Sequence, residues 1–283
     1  MNGVKTVFLL TLMTLLAWWV GVLLFPDGGF YIGLGFAALL NLGAYFFSDK
    51  IALAASRAKP VEYNDLPEVY DIVTRLTQQT GMPMPRLYLI DSPQPNAFAT
   101  GRSPNHAAVA VTTGILQVLD RYELEGVLAH ELAHVANRDI LISSVAAMFA
   151  AAISMLTRMA FWFGGGRDRN NGVGAALTLV AFIVAPLAAM LIRFAISRAR
   201  EYQADESGAQ YTGNPLQLAS ALRKIGIATQ QIPMDVNPAV SSLYIENPRK
   251  ALKGGGFGKW FSTHPPMDER IARLEQMAGP ISR

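Results

Sequence analysis

The sequence predicts a mostly α-helical integral membrane protein, of the α+β kind, with a small β-sheet in its polar parts. Its 283 residues are 51% hydrophobic and only 16% charged, whereas typical soluble domains carry about 25% charged residues. The charge is missing from four apolar runs, at residues 6–25, 28–48, 140–157 and 172–192. Each run is close to the ~20 residues that a helix needs to cross a bilayer. We therefore predict four transmembrane helices rather than four buried core helices.

The first two runs predict a transmembrane hairpin over residues 1–48. Pro26 and Asp27 precede two glycines between the runs, which is typical of a tight turn. The alternative for the first run is a cleaved signal peptide. That run is longer than the roughly 7–15 apolar residues of a signal peptide, and no small-residue cleavage site follows it. We therefore expect the hairpin to be retained.

The other two runs predict a second hairpin over residues 140–192. The third run stops at Arg158, and the fourth contains Pro186, which membrane helices tolerate. The connection between them carries Arg158, Arg167 and Arg169. More basic residues flank the membrane on the other side, namely Lys5, Lys50, Arg57, Lys59, Arg138, Arg193, Arg198 and Arg200. Because basic residues are enriched on the cytoplasmic side, we expect both polar segments to lie in the cytoplasm.

The polar segments, residues 49–139 and 193–283, are predicted to form one domain that the second hairpin interrupts. Periodicity and turn residues predict helices at 62–79, 114–119, 121–137 and 268–277, and strands at 86–90 and 107–112. Asp120 and Glu123 have the spacing of a capping box at the start of helix 121–137. We expect that helix to continue into the third apolar run, and the fourth run to continue as helix toward Tyr211.

The composition excludes several classes of function. The chain has no cysteine, so disulfide scaffolds, thiolate zinc sites and iron–sulfur clusters are excluded. Any metal must be held by His, Asp or Glu. The formal net charge of +3 is too small to predict nucleic-acid binding. No charged residue lies in the middle of an apolar run, and this argues against an ion transporter.

The segment from His130 to His134 is an H-E-x-x-H motif inside the predicted helix 121–137. Residues i and i+4 lie one turn apart on one helical face, so both imidazoles can bind one zinc ion. Glu131 lies one step around the helix, where it can act as a general base on water. The alternative is a pair of ordinary surface histidines. Because the chain has only four histidines and two have metal spacing, the motif favours a zinc site.

A catalytic zinc needs a third protein ligand, and the candidates are His106, His264 and many carboxylates. Glu201 is the best placed of these. It lies shortly after the fourth apolar run, and the motif lies shortly before the third. If those runs pack as a hairpin, both segments lie at the same membrane depth. Asp205 lies one turn after Glu201, where it can accept the free N–H of a ligating imidazole. The alternative for this segment is a solvated charged turn.

Four segments of the chain carry a resemblance to a known family, at residues 95–101, 125–134, 201–205 and 262–270. With the apolar runs in this order, they resemble the HtpX-type membrane zinc metalloproteases, bacterial relatives of the CAAX prenyl proteases. The resemblance covers nearly the whole chain, although residues 226–258 match no motif. It implies a zincin-like metalloprotease domain with Zn²⁺ held by His130, His134 and Glu201. It also implies Glu131 as the catalytic base.

The resemblance further implies a multi-pass protein of the bacterial inner membrane with its active site in the cytoplasm. The implied function is zinc-dependent endopeptidase hydrolysis of damaged or misfolded membrane proteins, as part of membrane protein quality control and stress response. The expected partners are membrane protein substrates and the lipid bilayer, without nucleic acid, and no oligomeric state is indicated. The alternative is a non-proteolytic metal-dependent membrane chaperone or scaffold, against which the glutamate of the motif argues.

Two further residues are candidates for the active site. His264 precedes two prolines before helix 268–277. It could donate to the oxyanion of the tetrahedral intermediate or only pack a turn, and the resemblance favours the active site. Arg270 could pair with Asp205 or Glu201 beside the metal ligands, but an ordinary surface arginine is the default interpretation.

The segment around the second predicted strand is a candidate for substrate binding. If that strand lines the cleft, an extended substrate could add to it as a further strand. The residues then expected to bind substrate are Asn96, Ala107, Val109 and Val111. His106 lies in a turn and is expected at the surface.

Overall fold

A computed structural model of the chain describes residues 2–25, 27–146, 198–232, 243–245 and 265–279. It begins with a hairpin of two long helices, α1 (Asn2–Leu24) and α2 (Gly29–Ala55). Gly28 has a φ of 82° in the turn between them, a conformation that glycine adopts without strain. Within the hairpin, Asn41 Nδ2 donates to Thr14 Oγ1 at 2.8 Å. The first predicted hairpin is thus present.

The surfaces of α1 and α2 fit a membrane environment. The candidate spans are Gly3–Leu23 and Gly29–Ala55. In the most apolar 18-residue stretch of each helix, only 22% and 17% of the residues are buried. A core helix of a soluble protein would be mostly buried. Residues 140–146 of the third predicted run are also helical. The rest of that run and the whole fourth run lie outside the described residues, so those two spans stay predictions.

A four-stranded sheet forms the centre of the polar part. Its strands are β1 (Lys59–Pro60), β2 (Arg86–Ile90), β3 (Ala97–Thr100) and β4 (Ala108–Thr112), in the order β1-β2-β4-β3. β2 and β4 are parallel, and the other pairs are antiparallel. β2 and β4 match the two predicted strands. β3 was not predicted, because all four of its residues are buried and its sequence shows no alternation of polar and apolar residues.

Helices surround the sheet and carry most of the core. They are α3 (Pro67–Thr80), α4 (Thr113–Val118), α5 (Arg121–Ala136), α6 (Arg198–Thr212), α7 (Pro215–Gln231) and α8 (Met267–Met277). α3 begins later than predicted, because Pro67 occupies the first helical turn. α5 begins with the predicted capping box. Asp120 accepts the N–H of Glu123 at 3.0 Å, and Glu123 accepts the N–H of Asp120 at 3.0 Å.

The two polar segments share one hydrophobic core, as expected for one interrupted domain. Val109 and Leu128 of the first segment belong to the same buried cluster as Leu222 and Leu274 of the second. The boundaries of the predicted domains stay a prediction. The other face of the sheet packs against the end of α2, in a cluster containing Ala52, Leu53, Phe98, Ala110 and Tyr244. A candidate membrane helix therefore packs directly on the sheet.

The expected continuity between the motif helix and the third apolar run is wrong. α5 ends at Ala136, residues 137 and 138 form a turn, and helix resumes at residue 139. Arg138 has a φ of 57° in this turn, in the left-handed region that non-glycine residues seldom occupy. This break changes the direction of the chain directly after His134.

Candidate metal centre and active site

Two helices bring the motif residues and Glu201 together. α5 carries His130, Glu131 and His134, and the first two side chains are 1% and 4% exposed. α6 crosses α5 at Gly208, where an added Cβ would lie 2.9 Å from the backbone nitrogen of His130. A larger residue there would hold the two helices apart. The close approach therefore places Glu201, two turns earlier on α6, against the motif.

The three predicted metal ligands converge on one point. Nitrogen atoms of His130 and His134 and a carboxylate oxygen of Glu201 lie within 4.8 Å of one another. His130 Nε2 is 3.8 Å from Glu201 Oε2, and His134 Nε2 is 3.6 Å from Glu201 Oε1. Two imidazoles and one carboxylate are the donor set of many catalytic zinc sites. The prediction of these three residues as ligands thus has a suitable geometry.

Each imidazole is oriented by a second carboxylate. His130 Nδ1 is 2.9 Å from Asp205 Oδ1, and His134 Nδ1 is 3.2 Å from Asp139 Oδ2. Both rings therefore direct Nε2 toward Glu201. Ligating histidines usually donate their other N–H to a carboxylate or a carbonyl, which fixes the tautomer. The donor atoms present fit a bound divalent cation.

Arg270 neutralises part of this acidic cluster. Its side chain is fully buried, and it binds Asp205 through Nε at 2.9 Å and Nη2 at 2.6 Å. Burial opposes ionisation of Asp205, but the ion pair with Arg270 outweighs it and lowers the pKa of Asp205 to about 2. The default interpretation of Arg270 as a surface arginine is therefore wrong, and it pairs with Asp205, one of the two possible partners. Its distance to Glu201 Oε2 is 4.0 Å.

The remaining carboxylates create a negative potential at the centre. Burial lowers the pKa of His134, but the charges of Glu201, Asp139 and Glu131 outweigh burial and raise it to about 9. The carboxylates that stabilise a proton on this imidazole would equally stabilise a metal cation between the ligands. This electrostatic environment supports the cation site that the donor geometry indicates.

Glu131 points toward the edge of the sheet. Its Oε2 accepts the backbone N–H of Ala99 in β3 at 2.8 Å. Among the described strands, β3 lies at the edge of the sheet, and the N–H of Ala99 lies on its outer side. At the start of this edge, the carbonyl of Ala97 accepts the N–H of Ile245 at 3.2 Å. The predicted general base therefore lies beside a strand edge that an extended peptide could approach.

The expectation that substrate pairs with the strand of Ala107, Val109 and Val111 is wrong. β4 lies between β2 and β3 and pairs with both, so it has no free edge for strand addition. Ala107 directly precedes β4, and its carbonyl accepts the N–H of Arg86. The sequence showed β4 as a strand but did not show its neighbours, which depend on contacts distant in the chain.

The other candidates have different outcomes. Asn96 is fully buried directly before β3, and its Oδ1 accepts the N–H of Ala97 at 3.1 Å. Its predicted role in substrate binding stays a prediction. His106 is exposed as expected and contacts Arg102 and Ser103. His264 lies outside the described residues, so its predicted oxyanion role stays a prediction.

Two contributors to the site were not predicted from the sequence. Asp139 follows His134 by five residues and was assigned to the junction with the third apolar run. The turn at residues 137 and 138 brings its carboxylate back to the imidazole. The Ala99 amide carries no side-chain signal, because any residue except proline has an N–H. Only the Asp139 position could have been found, by testing acidic residues one turn beyond the motif.

Comparison with known proteins identifies the family. The chain matches the peptidase family M48 over residues 64–278. The chain belongs to peptidase family M48. It is 53% identical over 282 residues to the "Protease HtpX homolog" of Thermodesulfovibrio yellowstonii, covering 98% of this chain and 99% of the relative. The corresponding protein of Syntrophotalea carbinolica is 52% identical over 283 residues, covering 98% and 99%.

These matches confirm the HtpX-type resemblance. They establish a protease of a metallopeptidase family, and the two candidate membrane helices agree with a membrane protein. The crystal structure of S. mikatae Ste24p has a TM-score of 0.52 and 18% identity to this chain. The alignment covers 94% of this chain and 62% of that structure. Because only 18% of the residues are identical, the likeness supports the fold alone.

Proposed function

We propose that the chain is a zinc-dependent endopeptidase that hydrolyses membrane proteins on the cytoplasmic side of the bacterial inner membrane. The observation that carries the proposal is the convergence of His130, His134 and Glu201 within 4.8 Å, with Glu131 held beside them by the Ala99 amide. Membership of a metallopeptidase family supports the same reaction class.

In this proposal, His130, His134 and Glu201 would hold the zinc ion. When bound, zinc supplies Lewis-acid polarisation of a water molecule and of the scissile carbonyl. Asp205 and Asp139 accept the Nδ1–H of the two imidazoles, which leaves Nε2 of each ring directed toward Glu201. Arg270 keeps the Asp205 carboxylate ionised and fixed. These residues position the ligands without touching substrate.

Glu131 acts as the general base and then as the general acid. Its Oε2 is fixed by the Ala99 N–H at 2.8 Å, and no described residue bonds its Oε1. Glu131 accepts a proton from the attacking water and delivers it to the leaving amine. Because the carboxylate is 4% exposed, it is shielded from bulk solvent, which strengthens its interactions with the reacting groups.

The proposed substrate is an extended peptide segment that adds to the outer edge of β3. This edge lies beside Glu131, whereas β4 has no free edge. The contact of Ile245 with the carbonyl of Ala97 covers the start of the edge, and the Ala99 N–H is bonded to Glu131, so the segment would pair from the Ala99 carbonyl onward. An extended segment of a misfolded membrane protein meets this requirement, whereas a folded domain does not. Membrane protein quality control is the corresponding proposed role.

The proposal is tested by metal content and casein cleavage of the full chain in detergent. Glu131→Gln should retain zinc and lose at least about a hundredfold in cleavage rate, because general-base catalysis contributes roughly 10²–10⁴-fold. Glu206→Gln makes the same chemical change on the exposed side of α6 and should cleave as the native chain does. A Glu131→Gln variant with native activity would refute the proposed base.

The two remaining parts of the proposal need separate measurements. A native chain that binds zinc and suppresses aggregation but cleaves nothing would instead support the chaperone alternative. Sidedness is tested with a reporter fused after residue 283 that is active only when exported. An active reporter would refute the cytoplasmic orientation while leaving the protease reaction untouched.

A further inference from the structure

A cavity of about 710 Å³ lies beside the membrane hairpin, separate from the metal-binding cluster. Four parts of the chain line it: the start of α1, the later part of α2, the loop between β3 and β4, and the turn after α5. Lining residues include Gly3, Thr6, Tyr45, Arg102, Asn105 and Arg138. Its volume is many times the ~30 Å³ occupied by one water molecule in the liquid. The cavity can therefore hold a substantial polar group.

The cavity lies at the boundary between apolar and polar surface. The candidate span of α1 begins at Gly3, and the apolar run of α2 ends at residue 48, before Asp49 and Lys50. Three consecutive exposed aromatic residues precede this end, namely Tyr45, Phe46 and Phe47. Aromatic residues are enriched at the headgroup level of membranes. The cavity is thus at the depth of the lipid headgroups.

Two arginines give this cavity a positive charge. The Arg102 guanidinium lies over the ring of Phe46 at 5.1 Å and near that of Tyr45 at 6.0 Å, and its Nη2 contacts the His106 ring at 2.8 Å. Arg138 is exposed. Within the described residues, neither guanidinium has a carboxylate partner.

The acidic groups close to this cavity are engaged elsewhere. Asp49 forms an ion pair with Arg86 at 2.6 Å, and Asp139 contacts His134 at 3.2 Å and Arg200 at 3.7 Å. No described carboxylate therefore compensates the two arginines at the cavity. An anion from outside the chain would complete the charge balance.

The backbone turn after α5 brings Arg138 to the cavity. Its φ of 57° is costly for a residue with a long side chain. A residue in this conformation commonly follows the end of a helix, and here the turn also brings Asp139 to His134. Here the conformation ends α5 and places Arg138 on the cavity wall.

We propose that this cavity binds the phosphodiester headgroup of an anionic phospholipid. Arginine matches the planar pair of phosphate oxygens, and Ser103 and Asn105 provide hydrogen-bonding groups for a glycerol headgroup. The acyl chains would lie on the exposed apolar surface of α1, where Val4, Val7 and Phe8 are 77%, 63% and 51% exposed. A zwitterionic headgroup carries its own cation, which the arginines would repel.

The proposal is tested by native mass spectrometry of the full chain in a neutral detergent. The probes are phosphatidylglycerol, phosphatidylcholine and inorganic phosphate, each added separately. The native chain should bind phosphatidylglycerol in clear preference to phosphatidylcholine. The double variant Arg102→Gln/Arg138→Gln should bind phosphatidylglycerol about tenfold to thirtyfold more weakly, because each basic side chain near the membrane surface contributes about a factor of five.

Two further variants separate charge from folding and from strain. Arg121→Gln removes a charge at the start of α5, a helix about 24 Å long whose other end precedes the turn of Arg138, and should bind phosphatidylglycerol as the native chain does. Arg138→Asn removes the charge but tolerates a positive φ, so it should weaken binding as Arg138→Gln does. Unchanged zinc content in all variants would show that the fold is intact.

Several results would overturn the proposal. Equal binding of both lipids by the native chain, or equal loss in Arg121→Gln, would exclude a specific headgroup site. Inorganic phosphate binding as tightly as phosphatidylglycerol would indicate a site for free phosphate rather than lipid. Casein cleavage that falls in the double variant, with lipid binding unchanged, would assign the two arginines to a peptide substrate.

Discussion

Gly208 on α6 is the position where one added methyl group should disturb the metal centre most directly. A Cβ there would lie 2.9 Å from the His130 nitrogen, 3.1 Å from His130 Cα and 3.2 Å from the Ala129 carbonyl carbon. All three atoms belong to the backbone of α5, which cannot turn aside as a side chain can. Gly208→Ala therefore requires the two helices to move apart.

The size of the effect follows from these distances. The closest contact is about 0.5 Å short of the 3.4 Å at which ordinary contact begins. Overpacking of this kind typically costs about 1–3 kcal/mol of the free energy of unfolding. Because metal–ligand distances hold to about ±0.2 Å, a shift of α6 of this size would carry Glu201 out of the range of a good ligand. We expect zinc affinity to fall at least about tenfold.

The assay is zinc competition with a fluorescent chelator, combined with chemical unfolding of the metal-free chain. Gly226→Ala is the matched control, because it lies inside α7 with nothing within 4 Å of its added Cβ. There alanine should stabilise the helix by roughly 0.5–1 kcal/mol and leave zinc affinity unchanged. Native zinc affinity and native stability in Gly208→Ala would refute the argument that this close approach places Glu201.

Three other predictions concern the cluster around the metal. Glu201→Ala should lose most bound zinc and all peptide hydrolysis, whereas Glu206→Ala, exposed on the same helix, should keep both; metal analysis that finds full zinc in Glu201→Ala would assign the third ligand elsewhere. Asp139→Asn should weaken zinc binding by about 10–100-fold through the orientation of His134, which chelator competition measures, and unchanged affinity would contradict the role given to Asp139. Arg270→Met should destabilise the metal-free chain by about 3–5 kcal/mol, because it leaves the buried Asp205 charge without its partner; chemical unfolding with a loss below 1 kcal/mol would disprove this role.

The sequence by itself determined the features that depend on local spacing. The positions of His130 and His134 on one face follow from the period of the helix, and the capping box fixes where that helix starts. The apolar lengths of α1 and α2 similarly indicate membrane spans without any knowledge of their contacts. Glu201 was found because it lies a few residues after the fourth apolar run, much as the motif lies a few residues before the third.

Only the tertiary structure decided which groups from distant parts of the chain meet. Among the described strands, the order places β3, rather than β4, at the edge of the sheet beside Glu131. The turn at Arg138 brings Asp139 to His134, and α8 buries Arg270 against Asp205. These contacts depend on strand pairing and helix packing between segments far apart in the chain. Periodicity along the sequence carries no information about them, because it reports which face of an element is buried and not what covers that face.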